Sequence, residues 1–401
     1  MRIIFFAFLS IAAFSVKTIA QSNLYHPITV SEEKSLKGGD LYLSVDNKHF
    51  FINNEYSQPV VKGYTLPGQT VSPLLKYLTN NETLQLEMGF RAKHFFGHKE
   101  GISVAPLFTA QLNFSPTTQF IMGTLRGDLQ HRASDLIFQN EYRYTSKPEY
   151  GLQDSHTGQP EYNAQLRHTS TPEYGVQLRH NSNRLWMDIW INWENFTVHG
   201  DTVPEQFTTG LSMLVPLYST SSGWKITSAI QTTIVHLGGE ISDFKERGRS
   251  DMNNLLGVEI EKNSLAFIDK WGVFGHFLHY KELKSDGNNV FPKGTGVDAG
   301  FYFQKQNHHF RASWWKGHNY LSLRGNPIYQ SVSYENRELT FPDRDLLSAK
   351  YAFKKNFSKD FVFSLLLEGY YDLDRETLDY NYGIQLLYIP QFFLKNIKPI
   401  S

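Results

Sequence analysis

The chain has 401 residues, with 39 Lys+Arg against 39 Asp+Glu and no cysteine. The even charge excludes the basic excess of a nucleic-acid binder, and the missing thiols exclude a disulfide scaffold, a Cys-ligated metal, a thiol nucleophile and a lipid anchor on cysteine. Charged residues make up 19% and aromatic residues 15%, a balance short of charge for a soluble domain, where roughly 25% is usual. A mean hydropathy of -0.39 is too polar for a bundle of membrane helices.

Residues 1–20 read as a secretory signal. Arg2 is followed by the apolar run Ile3 to Phe14 and by Thr18-Ile19-Ala20, a small-residue cleavage site before Gln21. Even extended to Val16 the run is about 14 residues, short of the 20 or so that a spanning helix needs. Residues 21–63 alternate weakly and are compatible with a periplasmic arm, a plug or one more strand.

From about residue 64 to 390 one theme recurs: long alternating segments separated by polar or Gly-containing turns. Leu84, Leu86, Met88, Phe90 and Ala92 alternate with Gln85, Glu87, Gly89, Arg91 and Lys93. Leu185, Met187, Ile189, Ile191 and Trp193 alternate with Trp186, Asp188, Trp190, Asn192 and Glu194. Leu378 to Tyr388 repeats the pattern near the end. Period two means strands with one apolar and one polar face. A soluble sandwich uses strands of about five or six residues, whereas a tilted membrane strand needs about 9–11. The spacing therefore predicts an all-β, antiparallel transmembrane β-barrel of about 16 strands, within a range of roughly 14 to 18. The barrel is expected over 64–390, with 391–401 as a C-terminal tail.

These features resemble the porin-like outer-membrane β-barrels of Gram-negative bacteria. The resemblance is architectural, in the signal peptide, the dyad-repeat strands and the aromatic-rich final strand, and it implies export to the outer membrane. It departs from that pattern where the chain continues past Tyr388 to Ser401.

Residues 148–183 hold three tandem units, each opening Pro-Glu-Tyr at Pro148, Pro160 and Pro172. His156, His168 and His180 fall in register. With only about six to eight strand-like residues between prolines, a unit is too short to cross a bilayer, so 148–171 is read as an outward extension. The three histidines lack an acidic pattern around them, and neither metal nor cofactor is expected. His94 with His98, His276 with His279, and His308-His309 are read as strand or turn residues without carboxylate partners.

His180-Asn181-Ser182 resembles the His-x-Ser segment of outer-membrane phospholipase A and of lipid A 3-O-deacylases. That resemblance implies His180 as general base and Ser182 as nucleophile. Glu194 is the tempting orienter, but Leu185 to Phe196 has no Gly or Pro to turn the chain back. Asn-Ser-Asn is also ordinary turn chemistry, so no catalytic residue is favoured.

The solute-contacting strip is instead placed on Trp186, Asp188, Trp190, Asn192 and Glu194, with Glu87 and Arg91 as further lumen residues. Lys93, Gln111, Lys350, Lys354, Asp379 and Gln385 are also expected to point inward. The reading is a barrel without chemistry of its own that passes or binds small polar solutes. Outer-membrane lipid, those solutes and further copies of the chain are its expected partners, and nucleic acid is not. Its rivals are a lipid hydrolase using His180 and Ser182, and a structural or secretion-associated barrel with a closed lumen.

Overall fold

The computed structural model describes residues 36–397 apart from 57–58, 98, 100, 128–129, 140–171, 240–247, 264–266, 286, 288–289, 334–335 and 337. The signal reading and the first two repeat units lie outside these residues, as do His156 and His168. The strands are β1 (Asp40–Glu55), β2 (Tyr64–Leu78), β3 (Leu84–Phe95), β4 (Ile102–Ser115), β5 (Thr118–Thr124) and β6 (Tyr174–Asn181). There follow β7 (Trp186–Asn195), β8 (Glu205–Ser219), β9 (Trp224–Gly238), β10 (Arg249–Asn263), β11 (Lys270–Lys284) and β12 (Lys293–Lys305). The last are β13 (His308–His318), β14 (Asp343–Asn356), β15 (Phe361–Asp372), β16 (Thr377–Tyr388) and β17 (Gln391–Asn396).

From β1 to β16 each strand pairs antiparallel with its neighbour in sequence, and β1 closes the ring against β16 and β17. Asn47 pairs with Tyr388 on β16, and Ser44 with Gln391 on β17, in one unbroken register. Residues 389–390 are thus a short interruption at Pro390, which has no N–H to donate. The last two segments are one wall strand, so the wall has sixteen. Residues 391–396 are thus wall rather than the tail expected from the sequence, and of the alternatives left open for residues 21–63, residues 40–55 form one more strand, the first of the wall.

Alternation sets which side meets lipid. Met88, Phe90, Val104, Phe108, Met122 and Ile189 are exposed on the outside, whereas Glu87, Thr109, Gln111, Gln177 and Asp188 are buried on the inside. Closing every backbone bond within the ring lets such a sheet sit in hydrocarbon. The chain is a closed antiparallel β-barrel with an apolar outer face. Connections of two to six residues lie at one end, and the two longest, 125–173 and 319–342, share the other. Short turns belong to the periplasmic side of such barrels and long loops to the outside.

The described residues of both long connections fold inward. Sixteen strands enclose more space than wall side chains can fill. Ala133, Leu136, Ile137 and Phe138 of the first loop pack with Tyr320, Leu321, Ile328, Tyr329 and Val332 of the second in a buried apolar cluster that includes Trp190, Leu278 and Trp315 from the wall. Each fully buried large side chain contributes on the order of 1.5–3 kcal/mol.

Candidate functional site

On β7 the buried face carries Trp186 (2% exposed), Asp188 (1%), Trp190 (1%) and Asn192 (4%), while Ile189 (40%) and Trp193 (38%) lie outside. A bulge between Trp193 and Asn195 interrupts the pairing with β8, and bulges re-aim side chains. Glu194 there accepts hydrogen bonds from Gln206 (2.8 Å) and Thr208 (2.6 Å) and pairs with Arg324 of the second inward loop. The strip expected to meet solute therefore holds the inward loops along much of its length.

The strongest of these contacts is His131. Its Nδ1 lies 3.0 Å from Asp188 Oδ2 and its Nε2 3.0 Å from Glu173 Oε2. The ring stacks on Trp190, with centroids 3.8 Å apart. Burial disfavours the charged imidazole, but the Asp188 and Glu173 carboxylates outweigh it and push its pKa up to about 9. A cation at neutral pH with both ring nitrogens engaged is a strut rather than a base. His131 and Arg132 both have positive φ, 54° and 50°, at a cost of roughly 1–2 kcal/mol each, which the buried contacts offset. Arg132 in turn sits over the Trp186 ring, 4.6 Å from its centroid.

Other contacts spread the first loop across the lumen. Ser134 N donates to Gln231 on β9 (2.9 Å), while its neighbour Asp135 pairs with Lys350 on β14. Lys350 also lies 3.1 Å from Glu368 on β15. Arg126 makes a two-pronged contact with Glu87, at 2.8 and 2.7 Å. Tyr320 donates to Leu136 O (2.9 Å) and Asn253 to Leu321 O (2.6 Å), tying the two loops to each other and to β10. His131, Asp135, Arg126 and Arg324 were not anticipated from the sequence. The available signal was Ala133-Ser134-Asp135-Leu136-Ile137-Phe138, a short apolar run without period two inside a long connection.

The wall from β1 to β4 is less covered. Asp46, Lys48, Lys76, Arg91 and Lys93 are half-buried on inward positions, whereas the inward Asp188, Thr208, Ser212, Gln231, Asp251 and Asn253 of β7 to β10 are fully buried. Arg91 Nε donates to Ser72 Oγ at 3.3 Å.

His180 and Ser182 lie elsewhere, at the short-turn end. His180 follows the buried Gln177 by three positions on β6, which puts it on the outward face. Its Nε2 is 3.0 Å from Ser182 Oγ and its Nδ1 2.9 Å from Thr118 Oγ1. Ser182 is also bound into its turn, with Oγ donating to Leu185 O and accepting from Leu185 N, both at 3.2 Å. Glu194 takes no part. The expectation that His276 lacks a carboxylate partner is corrected: its Nδ1 lies 3.2 Å from Asp298 Oδ2, which Arg311 also approaches at 2.6 Å. The two residues lie directly opposite each other on the consecutive strands β11 and β12, and cross-strand register joins them.

A family model described as lipid A 3'-O-deacylase-type matches residues 32–160 and 154–397. The chain belongs to this family. The two matched spans overlap at 154–160, inside the tandem repeat. No curated protein matches the chain. Among solved structures, this family member is similar to the outer membrane protein OprD from Pseudomonas aeruginosa, at 10% identity and a TM-score of 0.50 over 91% of this chain and 98% of that one. Acinetobacter baumannii OccAB2 follows at 10% identity and 0.48, over 90% and 100%. The trimer form of OmpT from Vibrio cholerae gives 10% and 0.45, over 87% and 99%. At such identities the likeness concerns the fold.

Proposed function

We propose that this barrel passes or binds small polar solutes in a lumen narrowed by its two inward loops, after export directed by residues 1–20. One observation carries the reading: the described parts of the loops are anchored mainly on β6 to β15, and the inward faces of β1 to β3 keep the half-buried charged side chains Asp46, Lys48, Lys76, Arg91 and Lys93. Water beside such a wall lets a solute exchange hydration for side-chain contacts, and lumen width and charge set what passes. Trp186, Asp188, Trp190, Asn192 and Glu194 then shape the lumen by holding the loops, and Glu87 and Arg91 line it. Folded protein in a planar bilayer should conduct, and liposomes carrying it should admit small sugars. A sealed bilayer would overturn this reading in favour of a closed structural barrel.

Lipid hydrolysis is the second reading, favoured by the Ser182–His180–Thr118 chain on the lipid-facing wall and by the family's description. It requires Ser182 to donate to His180 Nε2 while Nδ1–H donates to Thr118, so that the base can take the serine proton. The opposite assignment, with Thr118 donating to Nδ1, Nε2–H to Ser182 and Ser182 to Leu185 O, satisfies every group and activates nothing. Among these residues no carboxylate orients the imidazole. Release of fatty acid from phospholipid or lipid A, abolished by Ser182→Ala, would establish this reading; conductance should be indifferent to that change.

A further inference from the structure

We infer that the outward rim of β11 and β12, at the end that bears the long loops, holds the phosphate of a lipid head group in the outer leaflet, on Lys281, Lys293 and His279. This rests on the membrane placement of the barrel and not on what its lumen passes. The register builds the site. Lys281 stands directly opposite Lys293, and His279 directly opposite Thr295, one row nearer the middle of the wall. Tyr280 and Gly294, between these rows, are buried on the inner side. By alternation both lysines therefore point outward, where both are exposed. Same-face neighbours on adjacent strands stand about 4.5–5.5 Å apart at Cβ, so two ammonium groups, an imidazole and the Thr295 hydroxyl can converge on one anion.

Depth fixes the kind of anion. Leu256, Phe277 and Val297 form the exposed apolar row beneath His279, and Ile260, Val273 and Phe301 a further one. His279 and Lys281 lie two and four residues beyond Phe277, about 7 and 13 Å along a tilted strand, where head groups succeed acyl chains. At this same end the outward faces of β4, β5 and β15 carry Ile102, Met122 and Tyr371 instead.

Charge decides the sign. Among the described residues Lys281, Lys293 and His279 have no hydrogen-bond or ion-pair partner. The outward carboxylates of β14 are engaged elsewhere: Asp343 lies 2.8 Å from His318, and Asp345 3.8 Å from Lys316 and 2.6 Å from the Trp314 Nε1 that donates to it. Like charges directly opposite each other destabilise a ladder, and an anion between them removes that cost. Phosphate oxygens accept several charge-assisted hydrogen bonds at once.

The test uses the full folded chain in detergent, read by native mass spectrometry with phosphatidic acid or with phosphatidylcholine of the same acyl chains. A single phosphatidic acid should stay bound under conditions that strip phosphatidylcholine. Lys281→Gln with Lys293→Gln should weaken that retention at least about tenfold, as the loss of a charged hydrogen bond does, and Lys281→Arg with Lys293→Arg should keep it. Lys355→Gln with Lys359→Gln removes the same charge at the short-turn end and should change nothing. Heat-modifiable mobility in SDS gels checks that each variant folds; should the double glutamine variant not fold, Lys281→Gln alone, read for a partial loss, replaces it. Equal retention of the two lipids, or equal loss in the short-turn variant, would overturn the inference, since neither depends on this pair. A folded barrel that needs detergent yet retains no phosphatidic acid would also overturn it and leave the membrane placement standing. A chain soluble without detergent would sink that placement and the site with it.

Discussion

The imidazole of His131 lies flat on the indole of Trp190, with centroids 3.8 Å apart and planes 3° from parallel. Asp188 and Glu173 bracket it from either side. A cation sandwiched between an aromatic face and two carboxylates is an anchor, and here it joins a loop to the inside of a membrane wall.

His131→Ala should therefore free the first inward loop without unfolding the barrel. It leaves two buried carboxylates without their cation, and breaking such a pair costs about 3–5 kcal/mol. Heat-modifiable mobility should persist, whereas trypsin should cut faster at Arg126 and Arg132. Adding Asp188→Asn should recover part of the protection. Unchanged cleavage would mean that the apolar cluster alone seats the loop.

The same site sets a pH dependence. The folded pKa of His131, about 9, lies above its ordinary 6.5 because the carboxylates outweigh the effect of burial. A raised value stabilises fully below the unfolded pKa and loses that contribution as pH rises through the folded one. Hydrogen exchange at residues 130–138, corrected for intrinsic rates, should show protection that is steady near pH 6 and weakens as pH passes about 9. Protection that grows across this interval would contradict the assignment.

Truncation after Tyr388 should block assembly. It strips the partner from Asp40–Ser44 of β1 and leaves an open edge, which hydrocarbon does not tolerate. Pro390→Ala should be accepted, because register is continuous on both sides of it. Gel mobility before and after boiling distinguishes the two.

Deleting 148–171 joins Lys147 to Pro172 and should still give an inserted barrel. The third repeat unit retains β6, Tyr174–Asn181, and loops outside the bilayer carry few buried backbone bonds. A comparable deletion within Trp186–Asn195 should fail, since it removes a wall strand. Loss of assembly in the first case would show that the earlier units serve as wall.

The sequence alone determined the barrel, its approximate strand number and the inside and outside of most strands. Period two is a local property: Met88 and Glu87 face opposite ways because successive Cβ atoms must. It therefore also put Trp186, Asp188, Trp190 and Asn192 on the inner face. The short β6 was less legible, because eight residues between polar ends resemble the repeat units beside them.

Tertiary structure decided what the inner face meets. Nothing in the spacing of Asp188 and Glu173 announces His131, some 40 to 60 residues away, and nothing near His276 announces Asp298. Lys48, Thr70 and Lys93 form a row only once β1, β2 and β3 are in register, and Gln391–Asn396 becomes wall only when the ring closes on β1. These contacts are long-range, fixed by closure and by the way two loops fill a lumen too wide for side chains alone, and such relations leave no periodic trace along the chain.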